Sequence, residues 1–505
     1  MPGVEGERVR ANPCCRAATI LVLVLLLCSV GCRSISRSKG ATQRAAQGSQ
    51  GRVATRATLG ALDPAETYRH AGFLTASGPV SFIGTVHFLA GPAPDSILAI
   101  VAVSVPSRSL TFTREGERYR AAYEVEFDLL QRVDTVARPV GHFRARETVR
   151  VSSLKETTRE EESIIFQQIV VIPPGSYAAT LTVRDLGSNR SGIAEGSLSA
   201  PRFAANPTIA QTGNNTGSAS SASYRLAPPV TVHMATPRTS RTVFPDLVVS
   251  PRSAAVFGRD SIIRIYFEWY GVSTTAPTDR APFIRFSVRS QEGQELHTDS
   301  AIASTWGADG QFAAATARVP VAKLGLGRRR ILAWHRAGTD TASASLFVSP
   351  ADDLAAISFE ELLGYLRYFT TAARLRALSD TAVEARAGTW AAFLRATDPS
   401  PATPEHEGLR EYLARLAVAN ARFRGEAVPG WLTDRGMVYS TLGEPDRIIE
   451  PRATTNRRAH SRIQAWEYTQ HRLRLVFVED EGTQRWDLTS ASEAEFQTVA
   501  DRIRR

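Results

Sequence analysis

The amino-acid sequence predicts a multidomain β protein: two antiparallel β-sandwich domains are followed by a helical segment and a small α+β domain with a short antiparallel sheet. Two observations carry this prediction. Before residue 350 apolar and polar residues alternate over many short runs, and from about Asp352 the apolar period becomes helical. The chain has 505 residues, which is long enough for about three domains of about 150 residues each.

The first β-sandwich is predicted over residues 63–203. In the segment YEVEFDLL, four apolar residues from Tyr123 to Leu129 alternate with three carboxylates, a pattern that is typical of a half-buried antiparallel strand. Similar runs recur through this region, with turn residues between them. A Pro-Gly pair at positions 174 and 175 precedes Tyr177, and in β-sandwiches the Tyr hydroxyl of such a corner can tie the turn down.

The second β-sandwich is predicted over residues 230–349, where the period-two runs resume. Between the two sandwiches, residues 204–229 are mostly small and polar and are predicted to form a linker. Residues 350–505 are predicted to contain the helical segment and the α+β domain.

Three helices are expected at the start of this last region. An apolar stripe from Phe359 to Phe369 predicts the first helix, and the second is expected to begin near Ser379. The third is expected to have Thr403 as its N-cap and Pro404 as its first residue. Its buried stripe is predicted to be Leu409, Leu413, Leu416, Asn420 and Phe423. Asn420 needs a partner there, because burying an unpaired amide costs on the order of 1–3 kcal/mol.

Residues 1–32 have the pattern of an export signal. A basic start is followed by the apolar run Ala17–Leu27 and then by CSVGC. Counted through Gly31 the run has 15 residues, fewer than the roughly 20 that a membrane-spanning helix needs. The segment SVGC resembles a bacterial lipobox with Cys32 as the acylated residue, although Ser29 stands where an aliphatic residue is usual. The alternative is an ordinary secreted protein in which Cys32 has no role.

Residues 33–62 are predicted to form a disordered tether. They are basic and carry almost no bulky apolar side chains, so they cannot bury enough surface to fold. A tether after an acylated cysteine would hold a folded body away from the membrane, and its positive charge would favour anionic headgroups. We therefore expect an exported protein of the cell envelope, anchored to a membrane and lying in the periplasm or on the outer surface.

Charge and residue usage argue against several functions. The net charge is +10, but 57 of the 60 basic residues are Arg, since three are Lys, and they are spread through every segment. No basic stretch of the sequence is interleaved with aromatics, so we expect no nucleic-acid partner. All four Cys lie in the first 32 residues, and the nine His form no ligand pair at helical or strand spacing. We expect no cofactor, no metal and no catalytic residue.

The densest cluster of special residues is PGWLTDRGMVYSTLGEPDRI, residues 429–448. A Gly, a Trp and a capping Thr or Asp are expected to form a turn that starts a short helix. A second Gly followed by Pro is expected to end that helix. The segment resembles the GWxTD domain of bacterial exported proteins. The residues that match the name of the domain are Gly430, Trp431, Thr433 and Asp434, and those that match its second turn are Gly443, Pro445 and Asp446.

The resemblance covers residues 350–505 and implies no reaction. We expect the motif residues to have a structural or ligand-contact role, with Asn420 supporting the Gly430 turn. The first hypothesis is a non-enzymatic envelope lipoprotein whose β domains bind another envelope protein or a glycan; its oligomeric state is open. The alternative is a hydrolase or transferase that acts on envelope polymers, with Asp434 as an acid. That alternative requires other acids to converge in a cleft of the C-terminal domain.

Overall fold

The fold is known from a computed structural model. It describes residues 64–93, 95–133, 136–157, 163–203, 226–270, 281–306, 312–335, 340–351, 354, 356–401, 406–423, 428–450, 462–480 and 485–504. The export signal, the tether and most of the predicted linker lie outside these residues. Over the described residues the predicted fold class is confirmed, because antiparallel β-sheets come first and a helical and α+β region follows.

Sheets 1 and 2 form the first β-sandwich. Sheet 1 contains, in spatial order, β1 (Leu74–Ala76), β2 (Phe82–Ala90), β3 (Ile97–Pro106) and β7 (Ser163–Ile172). Sheet 2 contains β4 (Thr113–Glu115), β5 (Arg118–Val133), β6 (Val136–Val151), β8 (Gly175–Asp185) and β9 (Ser191–Ala200). Strand β5 pairs with β6 along one edge and with β4 and β8 along the other, and β9 pairs with β8. Two short helices, α1 (Pro64–His70) and α2 (Leu154–Thr157), precede β1 and β7.

Two features of this sandwich follow the sequence pattern. The apolar residues that alternate from Tyr123 to Leu129 are all buried, at 2% exposed or less. The hydroxyl of Tyr177 donates a hydrogen bond to the carbonyl oxygen of Pro173, so the predicted Tyr corner is confirmed.

Sheets 3 and 4 form the second β-sandwich. Sheet 3 contains, in spatial order, β11 (Asp246–Val249), β10 (Val230–Thr236), β13 (Ile262–Tyr270), β17 (Phe312–Pro320) and β16 (Thr305–Trp306). Sheet 4 contains, in spatial order, β12 (Ala254–Val256), β19 (Asp340–Ser349), β18 (Gly327–His335), β14 (Phe283–Arg289) and β15 (Glu295–Ile302). The β12–β19 pair is parallel, and the other pairs of these two sheets are antiparallel.

The two sandwiches are stacked on each other. Every residue of β3 is buried, because sheet 2 covers one face of sheet 1 and sheet 3 covers the other. Buried side chains of β13, among them Tyr266 and Tyr270, belong to the same apolar cluster as β3. The side chain of Gln167 also joins the two sheets: its amide nitrogen donates to the carbonyl oxygen of Leu247 and its amide oxygen accepts from the nitrogen of Val249, both at 2.8 Å.

An ion pair is buried where sheets 1 and 3 meet. Arg238 is 3% exposed and Glu268 is 0% exposed, and two guanidinium nitrogens each lie 2.7 Å from a carboxylate oxygen. The hydroxyls of Tyr266 and Tyr270 donate to the same carboxylate, while Arg238 also donates to the carbonyl oxygen of Ala90 at 2.8 Å. Burial alone would lower the pKa of Arg238, but the charge and hydrogen bonds of Glu268 outweigh it and raise that pKa.

The C-terminal region packs helices against a small sheet. The helices are α3 (Phe359–Tyr365), α4 (Ala372–Ser379), α5 (Arg386–Thr397), α6 (Glu407–Arg422), α7 (Asp434–Leu442) and α8 (Ser490–Ile503). Sheet 5 contains, in spatial order, the antiparallel strands β20 (Arg447–Ile449), β21 (Ile463–Tyr468), β22 (Leu473–Asp480) and β23 (Arg485–Leu488). One cluster of buried apolar side chains runs from the space between sheets 3 and 4 into these helices and sheet 5.

The helix boundaries differ from the predicted ones in two places. The predicted start of the second helix near Ser379 is wrong: α4 ends at this residue, and the expected helix begins as α5 at Arg386. The third helix does bury the predicted stripe. Its N-cap is His406, whose ring nitrogen Nδ1 accepts from the nitrogen of Leu409 at 3.0 Å, whereas the expected cap at 403 and 404 lies outside the described residues.

Candidate functional site

The turn that begins the motif is buried under aromatic side chains. Trp431 lies in a 3-10 turn, Gly430–Leu432, and is 3% exposed. Its ring packs against the rings of Tyr365 and Tyr368, with centroid distances of 5.5 and 6.2 Å. The guanidinium of Arg367 lies 5.3 Å from the Trp431 ring centroid, close enough for a cation–π contact. Within the described residues the indole nitrogen has no hydrogen-bond partner, so Trp431 acts through packing.

Two glycines let three backbone segments approach one another. A Cβ atom at Gly430 would lie 2.6 Å from the carbonyl oxygen of Ala419 and 2.7 Å from that of Asn420. A Cβ atom at Gly436 would lie 1.9 Å from the carbonyl oxygen of Gly430. Any larger residue would therefore push the turn away from α6 or α7. The sequence did not single out Gly436, although a glycine in the first turn of a predicted helix is a signal for such a contact.

Thr433 is the N-cap of α7. Its hydroxyl accepts a hydrogen bond from the nitrogen of Gly436 at 2.9 Å and donates one to the carbonyl oxygen of Gly430 at 2.8 Å. The sequence left Thr433 and Asp434 as alternative caps, and the structure assigns the cap to Thr433.

Asp434 joins α7 to sheet 5. It is the first residue of α7, and its carboxylate accepts a hydrogen bond from the nitrogen of Leu488, at the end of β23, at 2.7 Å. Over the part of the chain that the structure describes, no His and no second carboxylate forms a hydrogen bond or an ion pair with Asp434. The geometry gives this carboxylate a main-chain donor as its partner.

The second turn of the motif also consists of main-chain contacts. Gly443 ends α7 with a positive φ of 85°, and its nitrogen donates to the carbonyl oxygen of Tyr439 at 2.8 Å. Pro445 follows, and Asp446 accepts a hydrogen bond from the nitrogen of Thr469 at 2.6 Å. This hydrogen bond is the largest cause that lowers the pKa of Asp446. Gly443 and Asp446 thus end the helix and close the turn after β21.

Asn420 lies beneath the first turn, as its place in the α6 stripe predicts, and is 8% exposed. The main chain of Asn420 contacts the turn, since a Cβ atom at Gly430 would lie 2.7 Å from the carbonyl oxygen of Asn420 and 3.0 Å from its Cα. Among the described residues no hydrogen bond joins its amide to the turn, so that part of the expectation stays a prediction.

A different group of side chains has the composition of a metal site. On the outer face of sheet 2, ligand atoms of Glu126, Asp128 and His142 all lie within 4.8 Å of one another. The sequence missed this group because Asp128 and His142 meet only through the register of β5 and β6. Each member has a partner: Arg144 lies 2.6 Å from Glu126, and the His142 ring nitrogen lies 2.8 Å from Asp128. The positive charge of the Arg144 guanidinium would repel a metal cation at this position, so we assign no metal to this group.

The described residues define a β-rich protein of stacked sheets whose C-terminal α+β part is organised around the motif turn. None of their helices is both long and apolar enough to cross a membrane. Residues 335–496 match the family model of the GWxTD domain, so the predicted domain is confirmed over this region. The match begins at the end of β18 and includes β19, which belongs to sheet 4.

Two further comparisons add little. No curated protein sequence matches this chain. Among solved structures, the "Biofilm associated protein - BSP domain" is similar with 9% sequence identity and a TM-score of 0.15. The aligned part covers 55% of this chain and 52% of that chain, about half of its length. A TM-score this low carries no argument about fold or function.

Proposed function

We propose that this protein is a non-enzymatic lipoprotein of the bacterial cell envelope with a binding or structural role. The proposal rests on the hydrogen bonds that the polar side chains of the motif form within the fold. Thr433, Asp434 and Asp446 each accept a hydrogen bond from a main-chain nitrogen and thereby hold α7 and sheet 5 in place. These hydrogen bonds give the polar groups of the motif a structural use within the fold, which supports a non-enzymatic role.

The anchor part of the proposal rests on sequence. The apolar leader ends in Gly31-Cys32, and a basic segment without acidic residues follows at 33–62. Acylation of Cys32 would fix the chain to a membrane, and the tether would let the folded body reach a partner at some distance. We propose another envelope protein or a glycan as that partner.

The shape of the body supports a role in presenting surfaces. Four stacked sheets and two buried apolar clusters leave long sheet faces in a fixed arrangement. Binding surfaces on rigid elements cost less ordering on binding than flexible ones.

The anchor is tested by fractionating cells that express Cys32→Ala beside wild type, with Cys28→Ala as the matched control. The Cys32 variant should be released from membranes or remain unprocessed, whereas the Cys28 variant should behave as wild type. Correctly processed Cys32→Ala protein that stays in the membrane fraction would contradict the lipoprotein proposal. The binding role is tested by purifying the intact protein from membranes and identifying the proteins and polymers that accompany it.

A further inference from the structure

The outer face of sheet 4 carries a group of arginines from two neighbouring strands. On β14 the residues Ile284, Phe286 and Val288 are buried in the core at 0% exposed, so the alternate residues Arg285 and Arg289 point outward. On β18 the same alternation buries Ile331 and Ala333 and turns the even-numbered arginines outward. The outward arginines of the face are Arg285, Arg289, Arg328 and Arg330.

These arginines have few acidic neighbours. Arg330 lies directly opposite Arg289 in the β14–β18 register, and like charges in such a position repel each other. Arg289 lies 3.5 Å from Glu295. The side-chain hydrogen bonds of Arg328 and Arg330 within the described residues go to the hydroxyls of Ser345 and Ser343, each at 3.2 Å. Among the described residues, no carboxylate lies within ion-pair distance of Arg285, Arg328 or Arg330. An anion on this face would relieve the repulsion.

The outer face of sheet 2 shows the opposite arrangement. There the guanidinium of Arg144 lies 2.6 Å from the carboxylate of Glu126, and that of Arg146 lies 2.8 Å from Glu124. Those arginines are neutralised within the protein. The charge on sheet 4 is therefore a local property and does not follow only from the high Arg content of the chain.

Apolar and hydroxyl groups lie beside the arginines. Half-buried Trp334 is directly opposite Arg285 in the register. Next to them Phe283 is 46% exposed and its cross-strand partner Ile302 is 63% exposed. Exposed hydroxyls occupy the adjacent outward positions, at Thr298, Ser300 and Thr341.

We propose that the outer face of sheet 4 binds an acidic polysaccharide. The guanidinium groups of Arg285 and Arg330 would pair with carboxylates of different sugars along the polymer, since the planar fork of Arg matches a carboxylate. Trp334 and Phe283 would contact the apolar faces of sugar rings, and the hydroxyl side chains would exchange hydrogen bonds with sugar hydroxyls. Arg330 lies opposite Arg289, four residues along β14 from Arg285, so the backbones of Arg285 and Arg330 are separated by about 13 Å along the strands, a distance that a polymer with repeated charges can bridge. This inference rests on the proposed function and specifies its glycan partner.

The test uses the chain from residue 33 onward, without the leader, and measures its retardation in native gels that contain polygalacturonate. Neutral dextran at the same concentration is the control polymer. We expect retardation by polygalacturonate and none by dextran. Binding to a DNA oligonucleotide or to vesicles of anionic phospholipid, without binding to polygalacturonate, would overturn the proposal.

The variants separate this face from general positive charge. Arg285→Gln with Arg330→Gln should weaken binding by about tenfold or more, because two charge-assisted pairs are lost. The control is Arg264→Gln with Arg318→Gln, a second pair of exposed arginines that lie opposite each other, on sheet 3. It removes the same charge and should change binding less than twofold. An equal loss in both double variants would show non-specific attraction and overturn the proposal.

A neutral substitution tests the sugar-ring contact. Phe283→Ala keeps the net charge and removes the ring, and thermal unfolding of the variant beside wild type shows whether the fold is retained. We expect binding about threefold weaker or more, since apolar contacts with one exposed ring are modest. Unchanged binding would refute the ring contact. The fractionation of Cys32→Ala is independent of these results, so a failure here leaves the anchor and the non-enzymatic role to be judged separately.

Discussion

Replacing Trp431 by Ala tests whether the motif is a structural core element. Trp431 is 3% exposed and lies against two tyrosine rings. A buried aromatic side chain removes about 150–250 Å² from water, and at about 25 cal/mol per Å² this contributes about 4–6 kcal/mol. Ala keeps part of that burial, and no hydrogen bond of the indole is lost among the described residues. We therefore expect Trp431→Ala to lower the free energy of unfolding by about 3–5 kcal/mol.

The measurement is urea unfolding of residues 33–505, followed by circular dichroism and by fluorescence. Six of the seven tryptophans remain in the variant, so fluorescence still reports the transition. The full body is used because the apolar cluster around Trp431 continues into sheets 3 and 4. Val428→Ala, at a position 45% exposed just before the turn, is the matched control and should leave the midpoint unchanged. A wild-type midpoint for Trp431→Ala would refute the structural role and make the motif a surface site.

The remaining predictions concern the helix, the pH response and the linker. Asp434→Ala should cost about 1–3 kcal/mol in urea unfolding, because it leaves the Leu488 nitrogen without its acceptor; a loss of cellular function at full stability would favour catalysis instead. Gly436→Ala should cost at least about 2 kcal/mol through overpacking, and a neutral result would contradict the close backbone approach. Burial lowers the pKa of His87 to about 4. Its neutral form therefore stabilises the fold above the ordinary pKa of 6.5, and this contribution, on the order of 3 kcal/mol at about 1.4 kcal/mol per pKa unit, is lost as the pH falls toward 4. His87→Gln should flatten the stability profile between pH 7 and 4, and an unchanged slope would exclude this histidine as the cause. Limited proteolysis should cut first within residues 204–229, as their polar composition predicts, and a first cut elsewhere would contradict that boundary.

The strand pattern was predictable because one face of most strands is buried and the other is not. From Tyr123 to Leu129 the apolar residues are buried, while on the opposite face Glu126 and Asp128 are half-buried and Glu124 is covered by Arg146. The stacking of the two sandwiches was not predicted, although β3 is a run of ten residues without alternation. Such a run indicates a strand buried on both faces, but it does not say which element covers the second face. In this protein the cover is sheet 3, which begins after the predicted linker.

The helical region shows where periodicity fails. Helix α4 was missed because the bulky apolar residues of AARLRALS are two leucines, of which Leu378 is buried, so no apolar stripe is visible in the sequence. In the motif, the residue types indicated a turn, a cap and a helix end, and these are confirmed. The partners were not predictable, since the nitrogen of Leu488 lies 54 residues beyond the carboxylate that it contacts. Every residue except Pro has a main-chain nitrogen that can donate, so the sequence does not indicate which one pairs with Asp434.

The buried pair of Arg238 and Glu268 adds polar contacts to the apolar side chains that join the two sandwiches. Removing either partner would leave an uncompensated charge in the interface, which typically costs about 3–5 kcal/mol. Both carboxylate oxygens are satisfied, by the guanidinium and by the two tyrosine hydroxyls, and Arg238 reaches across to the carbonyl oxygen of Ala90. A slipped arrangement of the two sheets would break several of these bonds at once. The network therefore favours one register between the two sandwiches.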